Sequence, residues 1–436
     1  MHNHTGGVYR ASVVYSNAIT GQITVVVPQY AGVGATFDIT KIGRSAIGGI
    51  WDVPNSGDQV LVAADDENFS NVFLIRGTTK TYVDHAILTS TVPSAGFRNA
   101  IINGGFDIWQ RGAGGLTVAA GVAILGDMWV TGGNGTSSVV SRQSWSLGAA
   151  SAAFPYEPTY YYRQVVTSSA SVNNYALIEQ RIEGVRTFAG QTVTLSFWMK
   201  ADAAKNVAVE FHQYFGTGGS PSAEVTAAGG VTTVALTTTM TRYSVTVTLP
   251  SISGKTLGTN GDDSLRVTIW LDAGSTYNAR TNSLGQQSGT YDLWGVQLEA
   301  GSVATPFERR PVGAELALCQ RYYYAPFYNN AGPNYAGLSI GSAYATSNTF
   351  HYVPLPVPMR IPPSYVANGM AGTDWRVTDG TNAFQCSAIS LYAPSTHCTM
   401  VDLTTTTVTA GVLTQFRPYE LQRINNTLQP GFSAEL

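Results

Sequence analysis

The sequence predicts an all-β protein, and three observations lead there. Apolar and polar residues alternate with period two in many short runs, among them VYRASVVY, GQITVVVP, VTLSFWMKA and SLRVTIWLDA. That period marks half-buried strands. Gly, Pro and Asn fall between the runs and read as turns. Charged residues make up only 12% of the chain, about half the ~25% usual in globular proteins. Gly, Ser, Thr, Ala and Val take their place, a balance that suits short strands and not helical bundles or a disordered chain.

The 436 residues exceed one ordinary domain, so two or three are expected, each able to bury a core. The net charge of −3 argues against nucleic acid as a partner, since phosphate binding needs clustered Lys and Arg. Three cysteines, Cys319, Cys386 and Cys398, are too few for a disulfide framework. They are expected as small buried apolar residues, in a protein made in a reducing cytosol. The opening MHNHTGGVYR has no apolar signal core. The longest apolar stretch, Leu116 to Leu125, is too short to span a bilayer, so membrane insertion is not expected.

The elements then follow in order. Residues 8–76 alternate in VYRASVVY, GQITVVVP, GDQVLVAAD and NVFLIRG. The segments Gly21 to Pro28, Pro54 to Val62, Asp65 to Asn68 and Val72 to Gly77 resemble the OB-like barrel of baseplate spike and hub proteins in contractile tails. The resemblance implies an OB-like virion-attachment domain over 1–80. Residues 81–98, polar and carrying Pro93 and Gly96, read as a linker.

Residues 99–310 hold strand-like runs roughly ten to twenty-five residues apart, the pattern of an antiparallel sandwich or jelly roll. No helical pattern interrupts them. Asn103–Asp107, Val193–Ala201, Tyr243–Leu249 and Asp292–Leu298 resemble the opening turn and successive strands of jelly-roll carbohydrate-binding modules, with Asp107 where that family more often has Glu. Asn99 to Gly112, Leu125 to Trp129 and Gly295 to Pro311 resemble phage tail-fibre proteins almost residue for residue. Residues 311–325 read as a linking helix. Pro311 suits a first turn, and Val312, Leu316, Cys319 and Tyr323 share a face. Residues 326–436 alternate again, with several prolines at edges or bends, and read as a small β tip domain.

No catalytic constellation emerges. Glu179 and Glu183, or the adjacent Asp262 and Asp263, would have to flank a cleft to hydrolyse a glycoside. The turn Asn260 to Asp263 reads as a solvated loop. The six histidines fit no metal-ligand spacing, and there is no GxSxG or P-loop. The expectation is a protein that is not an enzyme. Sugar sites pair aromatic platforms with a few polar groups. Trp198 and Trp294 lie in dense apolar strands and are expected in the core. Trp145, Tyr156, Tyr160, Tyr161 and Tyr162 lie in a loop-like stretch and are the candidate glycan platform. Tyr322 to Tyr324 and Tyr328 are expected at a subunit interface.

The two resemblances imply the rest. Sugar-binding jelly rolls often hold a structural calcium, for which Asp107 and Asp292 are the candidate ligands; no other cofactor is expected. Tail fibres imply a virion protein of the tail fibre or tip, made in the host bacterial cytoplasm. Its expected partners are other tail or baseplate proteins, two further copies in a homotrimer that would bury the apolar helix face, and host-surface polysaccharide, bound without cleavage. The rival expectations are a purely architectural collar, baseplate or head-decoration protein, and a polysaccharide depolymerase.

Overall fold

The computed structural model describes the strands within 8–77 and residues 98–148, 154–327, 336–368, 371–405, 418–423 and 431–436. The chain divides into two compact units, Met1–Gly96 and Phe97–Leu436. Among the described residues the fold is all-β, with a few short helical segments between the strands.

The first unit is an antiparallel sheet of β1 (Val8–Asn17), β2 (Gln22–Val26), β3 (Thr36–Ile39), β4 (Gln59–Ala64) and β5 (Val72–Gly77). The strand order is β3-β2-β1-β4-β5, and the two end strands lie against each other, which curls the sheet towards a barrel. The acidic turn Asp65 to Asn68 and nearly all of the expected linker lie outside the described residues.

The second unit begins with the sandwich. Its strands are β6 (Gly114–Ile124), β7 (Trp129–Ser144), β8 (Tyr160–Thr167), β9 (Tyr175–Glu183), β10 (Thr192–Ala201), β11 (Lys205–Tyr214), β12 (Val231–Leu236), β13 (Thr241–Thr248), β14 (Ser264–Ala273) and β15 (Gly289–Ala300). The order runs β12-β11-β14-β9-β7-β8-β15-β10-β13, with β6 along β7. Strand β7 belongs to both layers. Trp129–Gly135 pairs with β9, and Ser137–Ser144 pairs with β8. The crossing needs Gly135, which has φ +64° and sits where a Cβ would overlap the Asn174 side chain.

Alternation sends Leu195, Phe197 and Met199 of β10 and Leu293, Val296 and Leu298 of β15 between the layers. There they join Phe211, Leu265, Val267 and Ile269 from the facing sheet in one core. Each such side chain contributes roughly 1.5–3 kcal/mol on burial. A helical turn, Asn278–Thr281, interrupts the strands, contrary to the sequence expectation. Its Arg280 grips the buried Glu210 at 2.7 and 2.9 Å.

Helix α1 (Val312–Gln320) follows. Cys319 and Leu316 pack with Ile108, Met128 and Tyr322, while Val312 is 57% exposed. The apolar helix face is thus covered only in part within its own chain. Tyr322 and Tyr323 are buried internally, not held out for a partner, and Tyr328 lies outside the described residues.

The last strands are β16 (Tyr323–Tyr324), β17 (Ala336–Ala343), β18 (Asn348–Pro354), β19 (Ser364–Val366), β20 (Trp375–Thr378), β21 (Ala383–Tyr392), β22 (Cys398–Thr405), β23 (Pro418–Arg423) and β24 (Gly431–Ser433). Six of them close a barrel in the order β17-β18-β22-β21-β20-β23, and β16-β24-β19 form a small separate sheet. Closure leaves the barrel without free edges. Cys386 is buried in its core, but Cys398 is partly exposed, against expectation.

Candidate functional site

The three tail-fibre-like segments meet in one place. Asn99 accepts from the backbone N–H of Ile101 and Leu298 and donates to Val296 O. Asn103, at φ +56°, donates to Ile108 O and Asp127 O. Gln110 donates to Asp127 and Tyr323 O, and Trp129 Nε1 donates to Asn103 O. Glu308 accepts from Asn99 N, while Arg310 reaches Ile101 O, Asn99 O and Glu315. These residues satisfy each other's buried polar groups, so the most recognisable residues build a junction rather than a surface.

A second arrangement lies on the outer face of the sheet that holds β7, β8, β15, β10 and β13. Here β15 and β10 pair Trp294 with Trp198 and Asp292 with Lys200. Next to them β8 brings Arg163 beside Asp292, and β7 brings Gln143 beside Tyr161. Gly295, at φ +65°, forms a bulge that keeps both Trp294 and Gln297 on this face. The result is an aromatic row. Trp145 lies 4.7 Å from Tyr161 and 5.2 Å from Phe154. Phe154 packs on Trp294 at 5.1 Å and Trp198 at 5.9 Å, and Tyr156 and Phe307 close the far end over Trp294.

Trp198 and Trp294 are buried, as expected, but on the outer side of the sheet beneath Phe154, Tyr156 and Phe307. The indole N–H groups of Trp145 and Trp198 are buried without a hydrogen-bond partner among the described residues. Beside the row, Arg163 holds Asp292 with two bonds of 2.6 and 2.8 Å and donates to the Tyr161 hydroxyl at 3.2 Å. Lys200 stands 3.5 Å from the same carboxylate. Asp292 is 2% exposed, whereas Arg163 and Lys200 are 31% and 36% exposed. Two partly exposed cations flank one buried anion at this edge of the row.

The structure therefore gathers Trp145, Tyr161 and Tyr156 into one row. Tyr160 lies apart, under the Arg142 guanidinium at 4.2 Å. Tyr162 is wholly buried and bonded to the Thr131 hydroxyl at 2.6 Å, so it is core and not platform. The stretch is also less loop-like than expected, since Tyr160–Tyr162 open β8. Phe154, Phe307, Arg163 and Lys200 were missed. Alternation carries the signal for Trp198 and Trp294: each lies two positions from a charged residue, Lys200 or Asp292, and so shares its outward face.

The two candidate calcium ligands have different neighbours. Asp292 is committed to Arg163 and Lys200, a cationic setting that opposes a metal. Asp107 sits beside Tyr156, Glu315 and Arg309, and burial raises its pKa to about 6. Among the described residues no group of three His, Cys, Asp or Glu is placed to hold a metal. The other acidic candidates all have hydrogen-bond partners. Glu179 pairs with Arg181 and Thr268, and Glu183 with Arg321 and Tyr322. Asp262 accepts from Thr217, and Asp263 from Val185 N, so this turn is bonded in place.

No protein-family model and no curated protein matches the chain. Solved structures do. One described as "CBM4 structure and function" is 16% identical, with 46% of this chain and 98% of that chain covered and a TM-score of 0.24. A study of promiscuous carbohydrate-binding modules from the β-sandwich superfamily gives 12%, 68% and 99%, at 0.29. The enzymatically active domain of bacteriophage CBA120 tailspike protein 4 gives 11%, 47% and 22%, at 0.25. Scores this low leave function to the chemistry of the site itself.

Proposed function

We propose that this chain is a tail-fibre or tail-tip protein of a phage that attaches the virion to host-surface glycan without cleaving it. The observation that carries the glycan part is the row on the outer sheet face, where Trp145 and Tyr161 adjoin the partly exposed Arg163 and Lys200. Sugars offer apolar C–H faces and hydroxyls, which suit aromatic rings bordered by polar donors. The partly exposed Arg163 and Lys200 at the Tyr161 end favour an acidic envelope polysaccharide. The tail part is supported by the tail-fibre-like segments, which lie far apart in sequence and fold into one junction.

A second reading is architectural, and one observation favours it: that junction turns the recognisable residues inward. One experiment separates the readings. Full-length protein is applied to purified host envelope polysaccharide, and binding and released reducing ends are measured together with virion adsorption under antibody against the protein. Binding without release, and blocked adsorption, support attachment. Absent binding with normal adsorption leaves the architectural reading. Released reducing ends make the protein a depolymerase.

A further inference from the structure

The closed barrel carries a second aromatic surface. Strand alternation sends Val353, Val401 and Leu403 inwards, where they are buried. The opposite faces of the same strands point outwards, where polar residues are expected. Instead, Tyr352 and Tyr392 stand 56% and 54% exposed. Register places them on either side of Met400, each paired with it across β22. The next row pairs Phe350 and Ser390 with Asp402. Tyr344 stacks on Phe350 at 4.1 Å and 15°, and Phe350 meets Tyr392 at 4.9 Å. The Tyr344 hydroxyl donates to the Asp402 carboxylate at 3.1 Å.

We infer that this face of the barrel is a second glycan site, for a neutral oligosaccharide. The barrel core does not need these rings, and a contiguous exposed aromatic patch marks a binding surface. Three features select a sugar. The rings form a platform rather than a pocket. Asp402 is an acceptor-only group whose lone pairs exceed what one tyrosine hydroxyl uses, so it can take sugar hydroxyls. Tyr352 and Tyr392 lie two strands apart, roughly 10 Å, which suits a chain of sugars over a single ring. Charge selects the neutral class: Asp402 is the one charged residue in β17, β18, β21 and β22, so nothing there attracts an anion. Barrel closure disfavours strand addition by a peptide. The inference shares its ligand class with the attachment proposal but not its site.

The test uses the full chain and an array of neutral and uronate-containing envelope oligosaccharides. Three proteins are compared: the wild type, a Tyr352→Ala/Tyr392→Ala variant and a Trp145→Ala/Tyr161→Ala variant. The barrel variant is expected to lose neutral-glycan binding at least tenfold while keeping the wild-type Tm and its acidic-glycan binding. The sandwich variant is expected to do the reverse, so the two proposals can fail separately. Alkylation of Cys398, which pairs with Pro354 two residues from Tyr352 and is more exposed than the buried Cys319 and Cys386, gives a second measure. A bound neutral glycan should slow it severalfold. No neutral-glycan binding, or binding unchanged in the barrel variant, overturns the inference. So does self-association that the barrel variant abolishes, which would make a second copy the occupant.

Discussion

The Arg111 guanidinium lies 3.4 Å over the centre of the Tyr323 ring. It also reaches Glu435 at 2.7 Å and Asp127 at 3.4 Å. One side chain from the opening segment thereby ties the sandwich to the strand after α1 and to the last residues of the chain. Arg111→Ala would leave the wholly buried Asp127 without its cation. Removing one partner of a buried pair costs about 3–5 kcal/mol. The variant is expected to lose roughly that much in denaturant unfolding. Arg111→Lys should restore only part, because an ammonium cannot stack and bridge as the planar group does. A variant as stable as the wild type would remove the junction from any stabilising role.

Gly295 gives a sharper local test. A Cβ there would fall 2.6 Å from the Trp198 ring, and the backbone has φ +65°. Both strain and overlap oppose a side chain, so Gly295→Ala is expected to destabilise by about 2–4 kcal/mol. It should also change the near-ultraviolet signal, because Trp198 and Trp294 are displaced. An unchanged denaturation midpoint would show that the bulge relaxes freely.

Much of this was legible in the sequence, and the rest was not for physical reasons. Period-two alternation exposes the β-class, the strands and the inward parity of residues such as Leu195 and Leu293. It cannot say what covers the outer parity. Trp198 and Trp294 are buried because Phe154, Tyr156 and Phe307, distant in sequence, fold over them. Nor does composition distinguish Tyr162 from Tyr161, since one step along β8 swaps core for surface. The acids Asp107 and Asp292 looked like calcium ligands because they stand at the opening turn and closing strand, where similar jelly-roll sugar modules often hold a calcium. Only the fold shows Arg163 and Lys200 already holding one of them. Alternation alone does not bring Tyr344, Tyr352 and Tyr392 to one barrel face, because that depends on which strands pair and in what register.

Asp107 predicts a pH dependence. Burial first, then the nearby Glu315, raises its pKa from 3.8 to about 6, against the opposing pull of Arg309. The folded state then holds the proton more tightly than the unfolded chain. Stability contributed by this group is full below pH 4 and falls as pH rises to about 6. Asp107→Asn should abolish that slope and stabilise the protein at pH 7 by on the order of 2 kcal/mol. Unfolding curves at pH 4, 5, 6 and 7 measure it. A parallel pair of curves for variant and wild type would refute it.

His351 works in the opposite sense within the barrel. It is wholly buried, its Nε2 lies 3.2 Å from the Thr349 hydroxyl, and burial lowers its pKa from 6.5 to about 4. Here the unfolded chain takes up the proton first. The barrel is fully stable above pH 6.5 and weakens as pH falls to 4, by about 3 kcal/mol over the window. The imidazole packs close against the Gly341 backbone, where an added Cβ would stand 2.7 Å from it. His351→Gln should flatten the acid limb while leaving pH 8 stability within about 1.5 kcal/mol. Hydrogen exchange in β17, β18 and β22 reads the barrel separately from the sandwich, where Asp107 gives the reverse slope. Exchange in these strands that does not accelerate between pH 6.5 and 4, after correction for intrinsic rates, would mean that the charged imidazole is accommodated inside the barrel.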